Sequence, residues 1–321
     1  MNSDLSQSLS PRILNLILYS PSPVYDQMRL SIHEYMKTTQ IFFFFYCFRS
    51  DMTAPYLIED NMLYLKGAET YLPGILEKTI LAIETCLSLF ADFDYIVRTN
   101  ISTVCNIFLL HRSLKNNTFD YGGSKMLTLS WIDPISGITN DRLHGLNYIS
   151  GTGIILSRKA CNLLCAKQNE LDKSVIDDVS IGLFFQRNGI PITCFENLGY
   201  PFSINSSHIE NNVVFYRNNT QRRLYDIRTI KAVSEKLKNF PIEFADYGTS
   251  KKRISVLNMI NKLATYFTDQ GILIPQNFVL NSLRGDPQSN HQKYLRIKLF
   301  GKRNTYIVHE IRTSGILIPY I

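Results

Sequence analysis

The run FDYIVRTNISTVCN, residues 93–106, decides how this chain is read. Residues 95–97, Tyr-Ile-Val, are aromatic and β-branched without a polar interruption, the pattern of a strand buried on both faces in a layered α/β domain. Arg98, Thr99, Asn100 and Ser102 follow at once, so the strand delivers four polar side chains at its carboxyl end. In open α/β sheets, ligands bind in the crevice beyond the carboxyl ends of the strands, which makes this strand end a candidate site. Thr99, Asn100 and Ser102 also suit the cap of a following helix over ISTVCNIFLLHRSL, and the stretch alone leaves both roles open.

Working outward, residues 12–19 read as a first strand, residues 25–37 as a helix, and IFFFFYCF (41–48) as a second strand. That β-α-β order implies parallel strands joined by right-handed crossovers. Residues 56–65 read as extended. Pro73 opens an amphipathic helix, ILEKTILAIETCLSLF, with Ile75, Leu76, Thr79, Ile80, Ile83 and Leu87 on one face. Beyond the central strand come a strand-like KMLTLSWI, a polar connection over residues 133–147, and YISGTGIILSRKACNLL. There Gly151 and Gly153 allow close approach of a ligand to the backbone, and Ser157 caps a helix from Arg158. In VIDDVSIGLFFQRNG, Asp177 and Asp178 open another helix. The macrodipole favours acids there, but two adjacent carboxylates exceed what one cap requires.

The chain's 321 residues, 45% hydrophobic and 12% aromatic, suffice for one large core with a smaller satellite. A formal charge of +7 and a pI near 9.0 suit an anionic ligand. Basic residues form no long block, so nucleic-acid binding is not indicated. The six cysteines contain no C-x-x-C pair and sit in apolar segments, as buried thiols do in a reducing compartment. No run is long enough for a membrane span, and the first apolar run is too short for a signal-peptide core. The expectation is a cytoplasmic protein of microbial or viral setting.

Four segments, AETYLPGILEKTILAI, DYIVRTNISTV, YISGTGIILS and IDDVSIGLFFQRNGI, resemble in order the motifs of the inverting β-1,3-galactosyltransferase and Fringe-like glycosyltransferases. The resemblance implies a GT-A-like (Rossmann-like) mixed sheet flanked by helices. It also implies transfer of a sugar from a nucleotide-sugar donor to a glycan or protein acceptor. Asp178 would be the base, and Asp177 would orient it or the acceptor. Arg98, Thr99, Asn100, Ser102, Glu69, Lys78, Gly151 and Gly153 would line the donor side. Asn100, Ser102 and His208 would hold a divalent cation, Mn2+ or Mg2+. Where relatives carry Asp-x-Asp, this chain has Asn100-Ile101-Ser102. Hard ions favour carboxylate oxygens, so the cation is expected to be weakly held or absent, with Arg98 and other basic groups on the leaving group. A catalytically inactive glycan- or nucleotide-binding protein is the alternative.

The β-α-β rhythm ends near Pro241. Residues 1–244 are expected to form the transferase-like domain and residues 245–321 a small, mostly β domain, with apolar and polar residues alternating between turns.

Overall fold

The structure, a computed structural model, describes residues 11–39, 41–115, 117–194, 198–199, 213–220, 222–238, 242–250, 253–256, 271–274, 294–299, 305–308 and 316–319. The chain divides into two compact units, Met1–Ser234 and Glu235–Ile321. The first contains β1 (Ile13–Leu18), α1 (Pro23–Met36), β2 (Phe42–Arg49), β3 (Tyr56–Glu59), β4 (Met62–Lys66), α2 (Gly74–Leu89), β5 (Tyr95–Asn100) and β6 (Thr103–Cys105). It continues with α3 (Ile107–Lys115), β7 (Tyr121–Gly123), β8 (Met126–Thr128), β9 (Asn147–Ile149), β10 (Gly153–Ser157), α4 (Arg158–Ala166), α5 (Asp177–Arg187), β11 (Ile192–Cys194), β12 (Leu198–Gly199), β13 (Phe215–Arg217) and the start of α6 (Arg223–Lys238).

An eight-stranded sheet in the order β11-β7-β10-β5-β1-β2-β4-β3 forms its centre. β5, β1, β2 and β4 run parallel, as the β-α-β rhythm implies, and β10 runs antiparallel against β5. The result is a mixed sheet flanked by helices. Leu14, Leu16, Phe44, Tyr46, Leu63 and Ile96 pack from the strands against Leu76, Ile80 and Ile83 of α2 and Phe184 and Phe185 of α5. The α2 face follows the expected 3.6-residue spacing, and Ser157 caps α4 by accepting from the Ala160 amide at 3.1 Å.

Three local expectations change. No helix follows β5 directly: Thr103–Cys105 pairs with Phe215–Arg217, and the helix starts at Ile107 under a cap by Asn106, whose Oδ1 accepts from Leu109 N at 3.2 Å. Thr99, Asn100 and Ser102 therefore do not cap it. Residues 56–65 fold as a hairpin of β3 and β4, turning at Asp60 with φ 50°. Of KMLTLSWI, only Met126–Thr128 is strand, paired with β9.

The second unit is mostly β as expected, with β14 (Ile242–Gly248), β15 (Arg253–Ser255), β16 (Gly271–Ile274), β17 (Tyr294–Leu299), β18 (Thr305–Val308) and β19 (Ile316–Pro319). It holds an antiparallel sheet β15-β14-β17-β18 and the pair β16-β19. Among the described residues no helix is long and apolar enough to cross a membrane.

Candidate functional site

Sheet register assembles the site. β5 carries Arg98, Thr99 and Asn100 to the carboxyl edge of the parallel strands, and Gly153 of β10 lies opposite Thr99. The turn before β10, with Gly151, therefore arrives at that same edge. The amino end of α5 brings in Asp177 and Asp178.

These groups form one hydrogen-bonded cluster. Arg98 Nη2 donates to Asp177 Oδ2 at 2.5 Å, and Arg98 Nη1 donates to the Gly151 carbonyl at 2.6 Å and Asn100 Oδ1 at 2.8 Å. The Gly151 amide donates to Asp178 Oδ2 at 2.9 Å, and the Val179 amide to Asp178 Oδ1 at 2.9 Å. Gly151 thus bridges the two acids, its carbonyl on Arg98 and its amide on Asp178. A Cβ at this position would lie 2.9 Å from Arg98 Nη1 and 3.2 Å from Asp178 Oδ2. Because the guanidinium is buried and held by three acceptors, it has little room to yield. Gly151→Ala is expected to lower stability by about 1–3 kcal/mol, the usual range for overpacking, measured by denaturant unfolding.

The two acids have different surroundings. Asp177 is 3% exposed and faces Arg98, itself 2% exposed, so its charge is matched inside the protein. Buried this far, Asp177 is engaged by Arg98 and, like it, is shielded from solvent. Asp178 is only half-buried. Burial, then repulsion from Asp177, pushes its carboxyl up to about 6, against the pull of the Gly151 and Val179 amides and Arg98. Each Asp178 oxygen takes one amide and keeps a lone pair, so near neutral pH the group is ionised and able to accept a proton.

A second charged cluster stands at the neighbouring strand ends. Lys78 is fully buried and donates to Glu69 Oε2 at 2.6 Å, the Tyr19 carbonyl at 3.0 Å and Ser20 Oγ at 3.0 Å. Burial lowers its pKa, with Glu69 opposing. Glu69 also accepts from the Phe48 amide at 2.7 Å and Ser20 Oγ at 2.9 Å. Glu69 and Lys78 thereby tie the loop after β1 to the end of β2, beside Asn100. Gly153 has a packing role: a Cβ there would meet the Phe215 ring at 2.5 Å, so that ring takes the space a ligand would need. Thr99 is buried, and its hydroxyl has no hydrogen-bond partner among the described residues.

Of the residues expected to hold a divalent cation, Asn100 and Ser102 do not fit one. Asn100 Oδ1 accepts from Arg98, and Ser102 Oγ accepts from Nη1 of Arg217. Both are neutral oxygens with a guanidinium already against them, whereas hard dications take anionic oxygens. His208 lies outside the described residues, and among those described no group of three His, Cys, Asp or Glu is placed to bind a metal. Arg217 and Ser20 were not singled out from the sequence. Ser102 and Arg217 are 115 positions apart, and only the pairing of β6 with β13 brings them together.

No protein-family model matches the chain, and no curated protein does. Solved structures do. A glycosyltransferase involved in the glycosylation of the major capsid of PBCV-1 is 11% identical with a TM-score of 0.42, over 69% of this chain and 99% of that one. The catalytic domain of Drosophila beta-1,4-galactosyltransferase 7 with xylobiose is 9% identical with a TM-score of 0.34, over 65% and 72%. A mutant of that enzyme with manganese, UDP-Gal and xylobiose is 10% identical with a TM-score of 0.35, over 73% and 86%. At these identities and TM-scores the likeness transfers no activity to this chain, whose chemistry rests on its own site.

Proposed function

We propose that the protein transfers a sugar from a nucleotide-sugar donor to a hydroxyl acceptor with inversion, using Asp178 as general base. The observation that carries this reading is the division of labour between adjacent acids. Asp177 is neutralised by Arg98, while Asp178 is half-buried, raised to about 6 and anchored by two backbone amides at the carboxyl edge of the sheet. A carboxylate so tuned takes the acceptor's hydroxyl proton as that oxygen bonds to the anomeric carbon. The carbon–oxygen bond to the diphosphate breaks on the opposite face, and the nucleoside diphosphate leaves with the electron pair. Asn100 and Ser102 border the donor's diphosphate, and the Glu69–Lys78 cluster shapes the neighbouring wall.

One observation favours a different class. The neutral Asn100 and Ser102, each engaged by a guanidinium, also suit a protein that binds a glycan or nucleotide without turnover. Nucleoside diphosphate release from a panel of nucleotide sugars, with mixed glycan acceptors, separates the two, because a binder releases none.

A transferase should show an acid limb. The base works ionised, so kcat/KM is expected to be flat above about pH 6 and to fall about tenfold per pH unit below it. A rate that holds level to pH 5 would remove Asp178 from the role of base.

A further inference from the structure

We infer that Trp131 is a stacking platform for the acceptor, so that the acceptor is a carbohydrate presenting a pyranose ring and not a simple alcohol or a peptide hydroxyl. The inference deepens the transferase reading and rests on it for which molecule stacks there, but the platform itself stands on separate observations.

A base that deprotonates a hydroxyl needs the rest of the acceptor molecule held beside it. What stands beside Asp178 is the connection from β8 to β9. Its turn over residues 133–137 is fixed onto the chain entering α5: the Ile176 amide, two residues before Asp178, donates to the Ser136 carbonyl at 2.9 Å. A Cβ on Gly137, whose φ is 77°, would lie 1.8 Å from the Ser174 carbonyl oxygen, so the two backbones touch. Where the connection ends, Tyr148 lies against Gly182 of α5, and a Cβ there would meet the Tyr148 Cβ at 2.3 Å. Gly182 is one helical turn beyond Asp178 and on the same face. Burial, then the charge of Asp178, pushes the Tyr148 hydroxyl up.

Trp131 packs on Tyr148, with ring centroids 6.2 Å apart and the planes tilted by 56°. Tyr148 is buried, whereas Trp131 keeps 39% of its surface exposed. Leaving that much of an indole in water costs free energy that the apolar face of a ligand recovers. Tyr71, Ile132 and Ile135 are exposed at the same connection, Tyr71 with its hydroxyl 3.4 Å from Ser136 Oγ. Asp133 belongs to this turn, its Oδ2 accepting from Ser136 Oγ at 2.6 Å and its Oδ1 from the Ile135 amide at 3.1 Å. An indole with a phenol hydroxyl and a carboxylate nearby matches both chemistries of a pyranose, whose C–H face is apolar and whose rim carries hydroxyls. A simple alcohol would leave the indole uncovered. A peptide acceptor docks by main-chain hydrogen bonds along a strand edge, which an indole face does not offer.

Trp131 is the chain's only tryptophan, so indole emission reports this position alone. The test titrates the full chain, with UDP or GDP present, against methyl pyranosides of glucose, galactose, mannose, xylose, fucose and N-acetylglucosamine, and against lactose and cellobiose. Glycerol and the tripeptide Gly-Ser-Gly are the controls without a sugar ring. At least one sugar is expected to shift the emission saturably, and neither control to do so. With that sugar as acceptor, Trp131→Ala is expected to raise its KM about 10- to 50-fold, the range for losing burial and stacking on an indole, with kcat changed by less than about threefold. Trp131→Phe, which keeps a ring over Tyr148, should raise KM by less, and the KM of the donor should stay within about twofold in both variants. The donor KM separates loss of the platform from loss of the fold. An emission unmoved by every sugar, saturation by the tripeptide instead, or an acceptor KM that Trp131→Ala leaves unchanged would overturn the inference. So would an emission that shifts with protein concentration alone while sedimentation shows dimers, since the patch would then be covered by a second copy. If wild type turns over no donor, yet a pyranoside shifts the emission and Trp131→Ala loses that pyranoside in calorimetry, the transferase reading fails and the platform stands. If Asp178→Asn stops transfer to an acceptor whose KM is indifferent to Trp131→Ala, the reverse holds.

Discussion

Replacing Asp178 by Asn is expected to slow sugar transfer by about 10²- to 10⁴-fold, the contribution of a positioned general base, while nucleotide binding stays within a few-fold. The expected split follows from geometry. Asp178 is held by the Gly151 and Val179 amides, whereas Ser102 is engaged by Arg217 from another strand. The variant should remain folded. An Asn amide group facing one of those two N–H donors loses a hydrogen bond, but the charge repelled by Asp177 also goes, so stability should change by no more than about 2 kcal/mol.

The pH dependence of stability supplies an independent check. Because the folded-state value, about 6, lies above the ordinary carboxyl value of about 4, the folded protein holds a proton between these pH values that the unfolded chain has released. Wild type should therefore lose stability as pH rises from about 4 to about 6, and Asp178→Asn should lack that component. Denaturant midpoints across this range measure the difference. Transfer at the wild-type rate by Asp178→Asn would refute the proposed chemistry.

Arg98→Met is expected to destabilise the first unit by about 3–5 kcal/mol, the cost of leaving one partner of a buried ion pair alone. Asp177 at 3% exposure would keep a charge with neither water nor counterion, and the Gly151 carbonyl and Asn100 would lose their shared donor. Adding Asp177→Asn in the same chain should recover part of the loss, since the stranded charge is its largest component. The exposed pair Lys159–Asp120, with the Lys side chain 78% exposed, is the natural control, because surface pairs contribute only about 0–1 kcal/mol. Equal, small effects of Arg98→Met and Lys159→Met in thermal or urea unfolding would mean that water reaches Asp177.

Much of the framework was legible because its signals are local. Largely apolar runs such as ILNLIL, broken only by Asn15, and FFFFYCF have nowhere to go except a strand covered on both faces, and ILEKTILAIETC repeats its apolar groups at helical spacing. Ser157 placed one residue before a helix announces its own cap. The stretch ISTVCN failed the same logic. Thr103–Cys105 has β-branched character, but its strand exists only because Phe215–Arg217 lies beside it.

The candidate site divides along the same line. By itself the sequence determined that Arg98, Asn100, Ser102 and two adjacent acids occupy strand and helix ends, because hydrophobic periodicity stops at those residues. Tertiary structure alone decided that Asp177 matches Arg98, that Gly151 joins the two acids, and that Arg217 faces Ser102. The physical reason is sequence separation: these contacts arise from strand register between distant segments, and the burial that raises Asp178 and matches Arg98 exists only once those segments have packed.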